Sequence, residues 1–145
     1  MKKERLLIVT GGNRGIGRQI ALSALDAGWK VAISYSFSQK LASDMEIASN
    51  GRIKAFPLDV TNSNSIGDFF KEIVKEMGQA DALVTAAGID NGQRSVAELD
   101  HEFVMSTMDV NVVGLILCCQ EFAKQAIDTG RPGIIVNLSS MAATI

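Results

Sequence analysis

Histidine is almost missing from this chain. His101 is the only one, set between Asp100 and Glu102 with no second histidine or cysteine near it in sequence. That disfavours a metal site and reads as a solvated loop histidine. Cysteine is nearly as scarce, and the two present, Cys118 and Cys119, are adjacent. Neighbours on a helix point about 100° apart, so they suit neither a metal nor a disulfide. They read as two small buried apolar groups. Neither sign of charge dominates: the formal net charge is −2 over 145 residues. Nothing here suggests a surface for nucleic acid or an anionic membrane. No apolar stretch combines the length and flanks of a signal peptide or membrane span. The expectation is a cytoplasmic protein with no membrane or nucleic-acid partner. Repeats, linkers and low-complexity tracts are also absent.

What is present is alternation. Apolar residues make up 47% of the chain, enough for the core of one domain. Leu6-Leu7-Ile8-Val9 is a continuous apolar run, as expected of a strand buried on both faces. Ile16, Ile20, Ala24 and Ala27 then recur at helical spacing, closed by Gly28. Val31-Ala32-Ile33 predicts a second strand, Ser38 to Ser49 a helix ended by Asn50-Gly51, and Ile53 to Leu58 a third strand. Ile66, Phe69, Phe70, Ile73, Val74 and Met77 form one stripe of the clearest helix. Thr61, Asn62 or Ser63 can cap its start and Gly78 its end. Ala82-Leu83-Val84 and Gly133 to Leu138 predict two more strands, with a long helix from about Glu102 to Asp128 between them. The pattern implies an α/β fold with a doubly wound parallel sheet, a Rossmann fold of strand order 3-2-1-4-5. Ligands then belong at the carboxyl ends of the strands.

The first strand runs into Thr10-Gly11-Gly12-Asn13-Arg14-Gly15-Ile16-Gly17 and then a helix. Glycines let a phosphate approach the backbone, and the helix start adds unpaired N–H groups and a partial positive charge. A nucleotide-triphosphate loop needs Lys then Ser or Thr after its last glycine, but Arg18-Gln19 stand there. The G-x-G-x-x-G fingerprint fails at Ile20. T-G-x-x-x-G-x-G remains. Asp59-Val60, Ala86-Ala87-Gly88, Asn111 and Asn137-Leu138-Ser139-Ser140 follow it in order.

That ordered set resembles the short-chain dehydrogenase/reductase family, and within it the branch similar to 3-oxoacyl-carrier-protein reductases. The resemblance implies that Gly11, Asn13, Arg14, Gly15, Ile16 and Gly17 wrap the adenosine ribose and pyrophosphate. It assigns Asp59 to the adenine amino group, Val60 to the ring, and Ala86, Ala87 and Gly88 to the nicotinamide ribose. Asp59 also reads as a turn or capping aspartate before Thr61, and both roles can hold. Two asparagines usually precede the Ala-Gly of this family, whereas Thr85-Ala86 stand here, so their side-chain hydrogen bonds must be replaced or lost. NAD enzymes usually end the second strand with an acid, but this chain has Tyr35-Ser36. With Arg14 to meet a 2′-phosphate, Ser36 to add a hydroxyl, and Ser38 or Lys40 to assist, NADP(H) is the expected cofactor.

The implied activity is hydride transfer between the nicotinamide and a carbonyl or alcohol substrate, a small molecule such as a 3-oxoacyl thioester. Ser140 matches the serine that orients the carbonyl and Asn111 the asparagine that holds a relay water. The family's Tyr-x-x-x-Lys falls after Ile145, so the chain is expected to be a 1–145 dinucleotide-binding domain, incomplete on its C-terminal side and inactive alone. Tyr35, the only tyrosine, stands at the adenosine end and cannot substitute. Asn91 to Val96 are expected on one wall of the substrate space. Val110, Val112, Val113, Leu115, Ile116, Leu117, Cys118, Cys119 and Phe122 make the long helix apolar nearly all round. Its outer face is expected to pair subunits into a homodimer or homotetramer through residues 102–128, and the fifth strand to be an open edge. A second reading stays open, in which the chain is a non-enzymatic fragment that binds nucleotide or a partner. A ligand-free structural domain would leave the ordered motifs unexplained.

Overall fold

A computed structural model describes residues 4–92 and 94–140. Five parallel strands, β1 (Leu6–Thr10), β2 (Lys30–Tyr35), β3 (Ile53–Pro57), β4 (Ala82–Thr85) and β5 (Ile134–Asn137), lie in the order β3-β2-β1-β4-β5. That is the expected order. Helices α1 (Gly15–Asp26) and α2 (Gln39–Ala48) cover one face of the sheet, over Leu7, Val9, Val31, Ile33, Ile53 and Val84. Helix α3 (Ser63–Met77) and the long helix before β5 cover the other, over Leu6, Ile8, Ala32, Phe56 and Leu83. Alternate residues of each buried strand therefore feed two separate cores, which is why the strands read as unbroken apolar runs.

The stripe of α3 folds as read, with Ile66, Phe69, Phe70 and Ile73 buried. Asn62 is its cap, accepting from the N–H groups of Asn64 and Ser65, and Gly78 ends it at φ 89°. Helix α1 follows the reading in part, with Ile20 and Ala24 packed on the core. Gly17 and Ala21 face the sheet, while Ile16 is 67% exposed and Ala27 lies outward. The requirement that Gly17 lie against Gly11 sets the helix rotation, and apolar spacing loses to it.

The long helix is α4 (His101–Met108), a wider π-helical turn (Asp109–Gly114) and α5 (Leu115–Thr129), 29 residues in all. Length and composition alone would let it cross a membrane, although the sequence reading asked for the flanks of a span as well. The helix is apolar on two sides. Cys118 and Phe122 are buried and Leu117 packs on the same core, whereas Val104, Met105, Met108, Val112, Val113 and Ile116 face outward and are substantially exposed. Leu117 and Phe122 thus belong to the inner face. Gly114 lets the helix touch Val60, where a Cβ would lie 2.7 Å from the Val60 carbonyl oxygen, and the Phe122 ring fills the space beneath Gly133.

His101 is exposed, as expected, but it opens α4 rather than lying in a loop, with Asp100 capping the Phe103 N–H at 2.7 Å. Burial pushes the Cys118 thiol up to about 12, with Cys119 adding to the shift. Cys119 is only half-buried, and its Sγ donates to Asn137 Oδ1 at 3.4 Å. Strand β5 is the sheet edge, with Ile134, Ile135 and Val136 all exposed.

A cleft at the carboxyl edge of the sheet

The register places Thr10, Thr85 and Asn137 side by side at the carboxyl ends of β1, β4 and β5. A cleft of about 990 Å³ opens beyond this edge, on both sides of the point where strand order reverses around β1. Its floor is the glycine turn. Gly11 has φ 64°, and a Cβ on it would lie 2.9 Å from the Ala87 Cα. A Cβ on Gly17 would strike the Gly11 carbonyl oxygen. Gly15, at φ 54°, has nothing within 4 Å of its would-be Cβ. Two glycines therefore close the turn on itself, and the third leaves room above the start of α1 for a ligand.

Side chains from the neighbouring strands hold the turn. Thr10 Oγ1 accepts from the N–H groups of both Ala86 and Ala87 at 3.1 Å. Ser34 Oγ accepts from Gly11 N–H at 2.9 Å, and the Ser34 carbonyl accepts from Gly12 N–H at 3.1 Å. Asn13, only 4% exposed, donates from Nδ2 to the Phe37 carbonyl at 2.9 Å. Thr10 and Ser34 are thus supports of the turn, a role the motif pattern does not mark. Each is a buried polar residue at the end of an otherwise apolar strand, which was the available signal.

Gly11, Asn13, Arg14, Gly15, Ile16 and Gly17 all line the cleft, as do Ser36, Asp59, Val60, Ala86, Ala87 and Gly88. Arg14 is exposed at the start of α1. Asp59 does act as a turn residue: Oδ1 accepts from Thr61 N–H at 2.9 Å and Thr61 Oγ1 at 2.7 Å. Asn111 does not line the cleft. Its side chain braces the loop after β4, accepting from Ile89 N–H and donating to the Ile89 carbonyl, both at 2.9 Å. Ser140 is exposed, three residues past β5, and Leu138 of the same segment reaches the cleft. Of the wall expected from Asn91 to Val96, Gln93 lies outside the described residues. None of the others lines the cleft, and Asn91 is instead tied to Ser106 and Thr107. Among the described residues, no group of three or more His, Cys, Asp or Glu side chains could hold a metal.

Residues 5–145 match the family model described as short chain dehydrogenase. The chain belongs to the short-chain dehydrogenase family. It is 35% identical to an uncharacterized oxidoreductase, YgfF, of Escherichia coli K12, over 97% of this chain and 59% of that protein. It is 34% identical to a 3-oxoacyl-[acyl-carrier-protein] reductase, FabG, of Staphylococcus aureus, over 100% of this chain and 59% of that one. Among solved structures, ElxO with NADP bound superposes with a TM-score of 0.87 at 27% identity, over 99% of this chain and 58% of ElxO. This short-chain dehydrogenase chain therefore spans under two thirds of the relatives it matches.

Where the resemblance leads one to expect asparagines, Thr85 makes a side-chain bond of its own. Thr85 is 3% exposed, and its Oγ1 donates to Asn137 Oδ1 at 2.8 Å, tying β4 to β5 just below the cleft. Thr85→Val removes that donor without changing the shape. The expected cost is about 1 kcal/mol, with Thr85→Ser close to wild type. Thermal unfolding of the three proteins checks this, and a Thr85→Val protein as stable as wild type would show that the bond contributes nothing.

Proposed function

We propose that this chain is the cofactor-binding part of an NADP(H)-dependent oxidoreductase that interconverts a carbonyl and an alcohol, with a small-molecule substrate of the 3-oxoacyl-thioester kind. The single observation that carries the reading is the glycine turn, where added Cβ atoms would strike backbone at Gly11 and Gly17 and meet nothing at Gly15. Such a cradle fits a pyrophosphate over the first N–H groups of α1. The NADP-bound ElxO structure supports the same choice of ligand.

In this reading the bound nicotinamide supplies or accepts the hydride. Gly11 to Gly17 hold the pyrophosphate by backbone. Arg14 and Ser36 meet the 2′-phosphate, with no acid at Tyr35-Ser36 to repel it. Asp59 still has Oδ2 for an adenine amino group, since Oδ1 takes both bonds from Thr61. Ala86 to Gly88, fixed by Thr10 and Asn111, present backbone to the nicotinamide ribose. Ser140 orients the substrate oxygen, and the proton donor comes from a segment after Ile145. The uncovered apolar strand β5 and the 59% span of the relatives support such a continuation. We place the enzyme in the cytoplasm.

An interaction with one 2′-phosphate gives about 1.5–3 kcal/mol, or roughly one to two decades in affinity. The complete protein should accordingly bind NADPH more tightly than NADH, and Arg14→Ala should erase most of the difference. Equal dissociation constants for the two cofactors would overturn the assignment.

Activity should be absent from residues 1–145 alone and present in the complete protein, where Ser140→Ala removes most of kcat. Turnover by the isolated chain would refute the missing-donor argument. A fully active Ser140→Ala enzyme would show that the serine lies elsewhere.

The outward face of α4 and α5 is proposed as the subunit contact of a homodimer or homotetramer, because soluble monomers rarely leave so large an apolar stripe uncovered. Ile116 is 57% exposed and Ile127 77%. Sedimentation of the complete protein at micromolar concentration is expected to give an oligomer, and Val113→Glu with Ile116→Glu a smaller species. A wild-type monomer would sink this part of the proposal.

A further inference from the structure

Phe37 is 77% exposed, lines the cleft and belongs to neither apolar core. One exposed apolar side chain needs no explanation, but this one is held. Its carbonyl accepts the Asn13 Nδ2 bond at 2.9 Å, and Asn13 is itself buried inside the glycine turn. The next residue, Ser38, turns through the left-handed region at φ 60° and ψ 54°, a conformation rarely taken by residues other than glycine. Although Ser38 stands at the cap position of α2, its side chain makes no capping bond. The turn separates Phe37 from α2, whose buried face is Ala42 and Met45 further on. The loop after the neighbouring strand β3, with Asp59 and Val60, lines the same cleft.

We propose that Phe37 is the stacking face for the adenine ring, and so a determinant of how tightly the nucleotide end of the cofactor is held. The inference rests on the NADP(H) reading above. Its chemistry is that of a flat phenyl ring against a flat heteroaromatic base, a contact that an aliphatic side chain of similar volume does not reproduce. The Asn13 bond makes the ring's position depend on the same turn that cradles the pyrophosphate. Base and phosphate recognition are thereby tied together by one hydrogen bond between two loops.

The test compares three ligands on the complete protein by titration calorimetry: NADPH, 2′,5′-ADP, which carries the adenine end alone, and reduced nicotinamide mononucleotide, which lacks it. Phe37→Ala and Phe37→Leu are both expected to weaken NADPH and 2′,5′-ADP by roughly tenfold, within a range of about five- to a hundredfold. Reduced nicotinamide mononucleotide should bind these variants as it binds wild type, and Phe37→Trp should restore both adenine ligands. Undiminished binding of 2′,5′-ADP by Phe37→Ala, with wild type binding it normally, overturns the inference and leaves the NADP(H) reading standing. So does a Phe37→Leu protein equal to wild type, because apolar cover would then suffice. Equal weakening of all three ligands also overturns it, since the loop would then be acting as a mere scaffold. A wild-type protein that binds neither NADPH nor 2′,5′-ADP overturns the cofactor reading, and this inference with it.

Discussion

Backbone meets backbone at the turn after β1, with no side chain between. Gly17 lies against the Gly11 carbonyl, and Gly11 lies against Ala87 of the loop after β4. Much of the rest follows from that contact. It sets the rotation of α1, turning Ile16 out into the cleft and Ala21 down onto the sheet. It brings the first turn of α1 to the carboxyl edge, where its unpaired N–H groups face the cleft. It also puts the Ala86 and Ala87 N–H groups within reach of one hydroxyl, that of Thr10, so the loop after β4 is fixed by β1. A side chain at Gly11 or Gly17 would part these segments and fill the space a ligand needs.

The opposite edge of the sheet is held by other means. Asp81 accepts from Leu6 N–H at 2.9 Å through Oδ2 and pairs with Arg131 at 2.7 Å through Oδ1. This joins the entrances to β1, β4 and β5. Both charged groups are partly exposed, so the pair contributes modestly to stability and mainly fixes alignment. Binding capacity and alignment are thus divided between the two ends of the strands. The carboxyl end has glycines, hydroxyls and an open cleft, whereas the amino end is closed by an ion pair.

The long helix carries the second constraint. Its inner side is specified by close approach, at Gly114 on Val60 and at Phe122 beneath Gly133. Its outer side has no such partner among the described residues, although its residues are as apolar. Apolar surface of this extent lowers its free energy by being covered, about 25 cal/mol for each Å² removed from water. Composition alone does not separate a subunit contact from a membrane span. The polar atoms of Asn111 and Gln125 distinguish the inner side, where they bond to Ile89 and Phe70.

The amino-acid sequence by itself determined the strands, the order of the elements and the place of the glycine turn. Those depend on local signals: unbroken apolar runs, the stripe from Ile66 to Ile73, and glycines at helix ends. The order of the motifs was legible for the same reason; Gly11, Asn13 to Gly17, Asp59 and Ala86 to Gly88 line one cleft, whereas Asn111 does not. Tertiary structure decided what depends on partners distant in the chain. Ile16 looked like core by its spacing, but the contact of Gly17 with Gly11 outweighed that spacing. Leu117 and Phe122 could not be told from Val113 and Ile116 until the helix was laid on the sheet. The polar partner of buried Thr85 became visible only with Asn137 beside it, 52 residues away. A hydrogen bond or a close contact between remote segments leaves no period in the sequence, because it exists only after the chain has folded.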